Sequence, residues 1–294
     1  MGEKSVYGKK VAIAVPASVV SDIPHLREKT SRVAMIGRAA AIFKIGAIIV
    51  YPDNPKVDQN RETHLIALLL SYMETPQYLR KRLFSLESDL RYAGVLPPLR
   101  TVHHPLERTM KGLKVGEFRE GVTVSGNRDG TNVDIGVERP ATIQKQQLPI
   151  GKRVTTKIRK IAAEVEVELV NRYEIPDFWG YSVTKENRPL GKILETGGFD
   201  LRIATSKYGI PFSDVARETW ERWRNAKSVI LVFGAPNQGL HRIVRQEGLE
   251  LEDVADFVVN TIPSQGTETV RTEEAIIASL AVLNATSSLS LHAC

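Results

Sequence analysis

Two glycine-bearing stretches near the C-terminus carry the residue types that could hold a small polar ligand. They are Gly-Ala-Pro-Asn-Gln-Gly at 234–239 and Asn-Thr-Ile-Pro-Ser-Gln-Gly-Thr at 260–267. Gly234 and Gly239 permit close backbone approach, while Asn260, Thr261, Gln265 and Thr267 offer both donors and acceptors. Each stretch follows a continuous apolar run, Val229–Phe233 and Phe257–Val259, of the kind a fully buried parallel strand shows. Both loops are therefore predicted at strand carboxyl ends, where open α/β sheets bind ligands. Thr205-Ser206 ends a further strand predicted at Phe199–Ala204 and would complete a three-loop pocket. Gly-Pro-Asn-Gln loops are also ordinary turn chemistry, and composition alone names no ligand.

The elements that must position these loops are readable from periodicity. A helix is predicted from Thr272 to Ala285, with Glu273 and Glu274 in the first turn where the helix dipole favours them. From Ala275 to Leu283 only Ser279 is polar, so this helix is expected to be buried all round, between its own sheet and a second subunit. At the other end of the chain, strand Val11–Val15, helix Ile23–Ile45 and strand Ala47–Tyr51 form a βαβ signal, followed by helical stretches Arg61–Met73 and Gln77–Asp89. Val33, Ile36, Ala40 and Phe43 make one apolar face of the first helix; Ala34, Met35, Ile42 and Ile45 make another, with Arg38 in its middle. A charge so flanked must snorkel or find an anion. Later, Pro211-Phe212-Ser213 opens a helix with Ser213 as its N-cap, and Ala216, Trp220 and Trp223 are spaced to pack on the sheet.

Between these α/β segments the texture changes. Gly121–Ser125, Thr131–Val137, Ala141–Lys145, Arg153–Ile158 and Val165–Val170 are short alternating segments separated by turn residues, which suggests a small barrel or sandwich. Five strands with a basic bias, inserted into an α/β host, are consistent with an OB-like nucleic-acid module, although a barrel can serve as scaffold alone. Seven Lys/Arg and no acid lie between Arg139 and Lys160, and Glu164, Glu166 and Glu168 follow at once. Lys145, Lys152, Arg153, Lys157, Arg159 and Lys160 are the candidate phosphate contacts; a solvated charged face is the plainer alternative. Phe118, Tyr173, Phe178, Trp179 and Tyr181 are too few, and mostly past the last strand, to make a stacking platform on the barrel. His103 and His104 are expected in an exposed loop.

Net charge is +6 with a pI near 9.3, which favours a polyanionic partner. No apolar run approaches the roughly 20 residues of a membrane span, and the N-terminus lacks a signal-like apolar core, so a cytoplasmic protein is expected. The single cysteine, Cys294, excludes an internal disulfide framework, and the six His show no zinc-ligand spacing, so no metal is expected. Neither G-x-x-x-x-G-K-[ST] nor G-x-G-x-x-G occurs, which argues against a P-loop nucleotidase and a dinucleotide oxidoreductase.

Phe-Gly-Ala-Pro-Asn-Gln-Gly-Leu at 233–240, followed by the run from Asn260 through Thr-Val-Arg-Thr-Glu-Glu-Ala at 269–275, resembles the last two motifs of the SPOUT superfamily of S-adenosylmethionine-dependent RNA methyltransferases. The likeness is to the branch that carries an inserted OB-like domain and methylates N3 of a uridine in large-subunit ribosomal RNA. It is strong over the last 65 or so residues and looser over the first 90. The resemblance implies an α/β fold: a SPOUT-type parallel sheet with a C-terminal trefoil knot, interrupted by a small OB-like β-barrel. The methyltransferase domain would span 1–98 and 186–294, with the RNA-binding barrel at 99–185. It implies a homodimer acting on RNA, ribosomal RNA in the family's habit, with S-adenosyl-L-methionine as methyl donor and S-adenosyl-L-homocysteine as product. The cofactor residues it implies are Thr205 and Ser206; Phe233, Gly234, Pro236 and Gly239; and Asn260, Thr261, Ile262, Gln265, Gly266, Thr267 and Thr269. Arg38, in Ile-Gly-Arg-Ala-Ala-Ala-Ile-Phe, resembles the family's catalytic arginine at the subunit interface, with Arg271 as an auxiliary. Glu268 or Glu273 could accept the uridine N3 proton. The alternatives are methylation of a ribose 2′-hydroxyl or guanine N1, and a non-catalytic RNA-binding or ribosome-assembly factor.

Overall fold

The computed structural model describes residues 9–127 and 129–289; Cys294 lies outside them. In chain order the elements are β1 (Lys10–Pro16), α1 (Leu26–Ile42), β2 (Ala47–Tyr51), α2 (Asn60–Glu74) and α3 (Gln77–Leu83). Then come β3 (Phe118–Asn127), β4 (Gly130–Asp134), β5 (Ala141–Gln144), β6 (Arg153–Ile161) and β7 (Val165–Leu169). The chain finishes with β8 (Ser182–Lys185), α4 (Leu190–Thr196), β9 (Leu201–Pro211), α5 (Phe212–Asn225), β10 (Ser228–Val232), α6 (Leu240–Arg245), α7 (Leu251–Val254), β11 (Phe257–Asn260) and α8 (Thr272–Leu289). The contacts divide it into two compact units. One takes in the chain as far as Ser71, then Tyr92–Pro97 and everything from Tyr181 on; the other is Tyr72–Arg91 with Pro98–Gly180.

The first unit is built on a six-stranded sheet in the order β11-β9-β10-β1-β2-β8. All of its pairings are parallel. Such a sheet needs cover on both faces, which is why Ile13, Ala14, Val15, Ile48, Val50 and Val229–Val232 are apolar without alternation and fully buried. β9 runs seven residues past its predicted end, because its pairing with β11 breaks and resumes. Ile203 and Ala204 pair with Phe257 and Val258, and then Ile210 and Pro211 pair with Val259 and Asn260, leaving residues 205–209 as an excursion. The extension also moves the following cap. Pro211 occupies the N-cap of α5, and Ser213, predicted there, lies inside the helix with its hydroxyl on Asp214.

α1 and α8 pack against each other. Ala34 and Ile45, read as part of an outer face, are in the core, whereas Met35 and Ile42 are exposed. α8 is not buried all round in the single chain. Ile276, Ser279, Leu280 and Leu283 face inward, and Ile277 and Ala281 are exposed. The first turn of α8 is anchored by a buried ion pair: Arg32 Nε lies 3.1 Å from Glu273 Oε1, and the same guanidinium holds Asp22 and the Val19 carbonyl. Burial pushes the Glu273 carboxyl up against the opposing pull of Arg32, and its Oε2 has no hydrogen-bond partner. Glu274 instead closes the helix end, accepting from the Arg271 backbone N–H at 2.9 Å in the manner of a capping box.

The second unit contains a closed barrel, β3-β4-β5-β7-β6. Along β6, Val154, Thr156 and Ile158 turn inward, and the barrel interior is Val133, Ile135, Ala141, Ile143, Val165 and Val167 with them. Below it lies a buried polar cluster. Glu74 accepts from Arg153 at 2.6 Å and 3.1 Å and from Arg172 at 3.3 Å, and Arg153 Nε reaches Glu120 at 2.6 Å. The Trp179 indole N–H and the Thr155 hydroxyl complete Glu120. Burial opposes the Glu74 charge, but Arg153 and His103 override it and hold the carboxyl well below the usual range. His103, expected in an exposed loop, is fully buried here; its ring and that of His104 both reach the Glu74 carbonyl, at 3.0 Å and 2.7 Å. The cause is long-range, since Glu74 lies 29 residues before His103 in sequence.

Two outcomes follow from these packed polar groups. Replacing Arg32 by Met should destabilise the protein by about 3 kcal/mol, because Glu273 is left buried and unpaired, and adding Glu273→Leu should restore most of it. Denaturant titration of both single variants and the double checks this; a double-variant loss equal to the sum of the two single losses would show the pair to be uncoupled. Burial, aided by His103, pushes the His104 imidazole down to about 4, so the unfolded chain binds the proton more readily between there and about 6.5. Stability should be complete above that window and fall by about 3 kcal/mol as the pH drops through it. His104→Gln should flatten that slope.

Candidate functional site

The adjacency of β11, β9 and β10 brings the three predicted loops to one edge of the sheet. They enclose a cavity of about 320 Å³. Thr205 and Ser206 line it from β9, together with Lys207 and Tyr208; Phe233, Gly234, Pro236 and Gly239 line it from the loop after β10. Asn260, Thr261, Ile262, Gln265 and Thr269 contribute from the loop after β11, and Thr272, Ala275 and Ser279 from α8. Gly266 and Thr267 belong to the same loop but are not on the cavity wall; the Thr267 carbonyl instead receives the Gln265 side-chain amide at 2.8 Å.

The loop after β10 is held from several directions. Phe233 donates its N–H to the Ala14 carbonyl at 3.1 Å, and its own carbonyl accepts from the buried Tyr51 hydroxyl at 2.7 Å. Burial, reinforced by Asp53, pushes that phenol well above its ordinary range, so it remains a donor. Ala235 and Gln238 close a tight turn through their backbones. The Gln238 side chain donates to the Asp53 carbonyl at 2.8 Å and carboxylate at 3.2 Å. Asp53 is itself buried and accepts from the Ser18 N–H and hydroxyl and from Gln59. The third loop is tied by its own side chains. Asn260 accepts from Ile262 N–H and donates to the Lys207 carbonyl, and the Thr261 and Ser279 hydroxyls meet at 2.7 Å. Thr272 Oγ1 donates to the Gly234 carbonyl at 2.8 Å, which fixes α8 against the loop after β10.

The cavity wall is chemically mixed: Phe233, Leu240, Ile262 and Val270 are apolar, amides and hydroxyls surround them, and Lys207 and Glu268 are the two charged members. One cation cannot neutralise a polyphosphate, so the wall suits a nucleoside-like ligand with balanced charge. Gly239 offers room: a Cβ there would meet nothing within 4 Å. A second cavity, about 480 Å³ at the ends of β2 and β8, is lined by Asp53, Asp58, Glu186 and Glu247 and no basic side chain, which disfavours a phosphate backbone there.

Neither predicted arginine is on the cavity wall of the single chain. Arg38 is half-buried on α1 and Arg271 is exposed at the N-cap of α8. Of the two candidate acids, Glu268 lines the cavity, and Glu273 is turned to Arg32. The residues that sequence reasoning passed over are Lys207, Tyr208, Gln238 and Asp53; the first two lay beyond the predicted strand end, and Asp53 has no local signature.

In the barrel, the cations of β6 lie across from the acids of β7. Lys157 pairs in register with Glu168 and Lys160 with Glu166; Lys160 reaches Glu166 at 3.3 Å and Arg159 reaches Glu168. Arg153 is engaged in the Glu74–Glu120 cluster, and Lys157 sits 5.5 Å from the centre of the Phe118 ring. Lys145 and Lys152 are exposed. Among the described residues no cluster of His, Cys, Asp or Glu could hold a metal ion, and no helix is long and apolar enough to cross a membrane.

Residues 10–283 match the family model described as "Putative RNA methyltransferase". The chain is 34% identical over 293 residues to an uncharacterised protein of Halobacterium salinarum, covering 94% of this chain and 99% of that one. It is 33% identical over 303 residues to the 28S rRNA (uridine-N(3))-methyltransferase of Mus musculus, covering 93% of this chain and 75% of that enzyme. The Homo sapiens enzyme of the same name is 32% identical, with 93% and 77% covered. A match of this extent, over both the sheet and the barrel, places the chain in the RNA methyltransferase family.

Proposed function

We propose that this enzyme transfers the methyl group of S-adenosyl-L-methionine to N3 of a uridine in large-subunit ribosomal RNA, leaving S-adenosyl-L-homocysteine. The observation that carries the reading is the meeting of three β-carboxyl loops in one cavity whose wall is neutral, mixed and too poor in cations for a polyphosphate. The relatives named as uridine-N3 methyltransferases support the choice of atom. When bound, the cofactor supplies the electrophilic methyl. Phe233, Ile262 and Leu240 would cover its apolar parts, while Asn260, Thr261, Gln265 and Thr269 would meet its polar groups. The protein's main task is then to hold N3 in line with that methyl, and the target base must be unpaired to present it.

Uridine N3 carries a proton in the neutral base; that proton would pass to Glu268, the acid on the cavity wall, or to water, and its loss places charge on the uracil carbonyl oxygens. Arg38 and Arg271 are the groups we assign to that charge. Arg38 lies off the cavity within one chain, and α1 and α8 both leave apolar side chains exposed at Met35, Ile42 and Ile277. A homodimer across α1 and α8 would cover those side chains and bring a second copy's arginine to the cavity. The SPOUT topology, with its C-terminal trefoil knot, is the fold we assign to the sheet unit. Its support is the strand order, in which β11 lies beyond β9 from β10, and the anchoring of α8 on Gly234. The barrel, which we read as OB-like, would contact the RNA backbone. Exposed ion pairs are weak, so Lys157, Arg159 and Lys160 can exchange carboxylates for phosphates beside Lys145 and Lys152.

Nucleoside mass spectrometry of ribosomal RNA from cells with and without the gene should show 3-methyluridine lost from the large subunit; loss of a ribose-methylated nucleoside or of 1-methylguanosine instead would change the assigned atom. Gly239→Val should fill the open side of the cavity and weaken S-adenosylmethionine binding by about ten-fold or more in calorimetry. Its backbone φ of −76° admits any residue, so the thermal midpoint should barely move. Unchanged affinity would remove the cofactor from this cavity.

A further inference from the structure

The excursion of β9 at residues 205–209 is a built feature. Gly209 lies so close to β11 that a Cβ would come within 2.7 Å of the Val258 carbonyl oxygen and the Val259 carbonyl carbon. Asn260 Nδ2 grips the Lys207 carbonyl at 3.1 Å, and the Ser206 hydroxyl accepts from the Tyr208 N–H at 3.2 Å. This bracing holds Tyr208 out from the sheet at the cavity wall, where the residue is 78% exposed. Among the described residues no other Phe, Tyr or Trp is exposed. The barrel offers no comparable ring: Trp179 is buried on Glu120, and Phe118 is half-buried beneath Lys157.

A braced backbone that holds a large ring in water beside a cavity leaves that ring available to a flat partner. Lys207 Nζ stands 5.1 Å from the centre of the ring and 3.5 Å from the Glu268 carbonyl. A cation on one side leaves the other face for a flat partner and adds positive charge where an RNA strand would enter. Unpaired bases in RNA are commonly held by stacking on such a ring. Resting on the reading of the cavity as the methyl-donor site, we infer that Tyr208 is the platform on which the target pyrimidine stacks, with Lys207 as its electrostatic partner. Tyr208 is thus a substrate-positioning residue distinct from the groups that hold the cofactor.

Two measurements test this. A short oligouridylate carrying one 5-iodouridine, irradiated with the full-length protein, should form a cross-link that peptide mass spectrometry maps to Tyr208. With ribosomal RNA from cells lacking the gene as substrate, Tyr208→Ala should raise KM for RNA by about ten-fold or more, as expected for loss of one stacked base. Tyr208→Trp should restore it, and calorimetric affinity for S-adenosylmethionine should stay close to that of the unaltered protein. Cross-links confined to the barrel, or an unchanged KM in Tyr208→Ala, would overturn the inference. Cofactor affinity lost in Tyr208→Ala with RNA binding intact would assign the ring to the cofactor and overturn it as well. If the unaltered protein bound no S-adenosylmethionine, the cavity reading would fail on its own, and the cross-link would still decide whether Tyr208 holds a base.

Discussion

The constraint on which the site depends is the parallel adjacency of β11, β9 and β10. Parallel strands cannot be joined by hairpins, so every connection crosses a face and every strand delivers its carboxyl end to the same edge. Three loops distant in sequence are thereby forced together, with no side-chain recognition needed to gather them. What side chains add is rigidity. Thr272 on the Gly234 carbonyl, Thr261 on Ser279 and Gln238 on Asp53 each tie one loop to another element. A site assembled this way loses little order on binding, since its backbone groups are already fixed.

Much of this was legible in the chain. Unbroken apolar runs at Val229–Phe233 and Phe257–Val259 announced buried strands, and the turn residues after them announced the loops. Alternation at Val154, Thr156 and Ile158 announced the barrel wall. What sequence could not supply were facts that depend on a distant partner. β9 appeared to stop at Ala204 because the residues beyond it lose their apolar character. They lose it because they leave the sheet, and the strand resumes only where Asn260 and Val259 offer new pairing. His103 is polar and follows a Pro-rich stretch, so local rules put it outside; Glu74 draws it in.

Two of the arginines of α1 make the same point in one helix. Arg32 and Arg38 are six residues apart, which at 100° per residue turns them about 240° from each other. Local pattern drew attention to Arg38, whose neighbours are apolar. Arg32 is the more deeply buried, because Glu273, from the far end of the chain, and Asp22 receive it. An unpaired charge could not stay there. The pair therefore does for α8 what periodicity cannot reveal: it sets how the first turn sits beside the cavity wall formed by Thr272 and Ala275.

Charge placement bears on how an RNA could be selected. The sequence shows a run of cations followed by a run of acids, and folding lays the two runs side by side on β6 and β7. A surface so compensated attracts a phosphate backbone less than the raw count of Lys and Arg suggests, because each contact must first displace a carboxylate. Backbone contacts of this kind orient a strand without reading it. On the proposed reading, discrimination would come from the sheet edge, at a cavity whose wall carries a single cation and a single exposed ring. Weak, compensated attraction at the barrel is compatible with selectivity for that reason, since a strongly basic surface would hold every RNA alike.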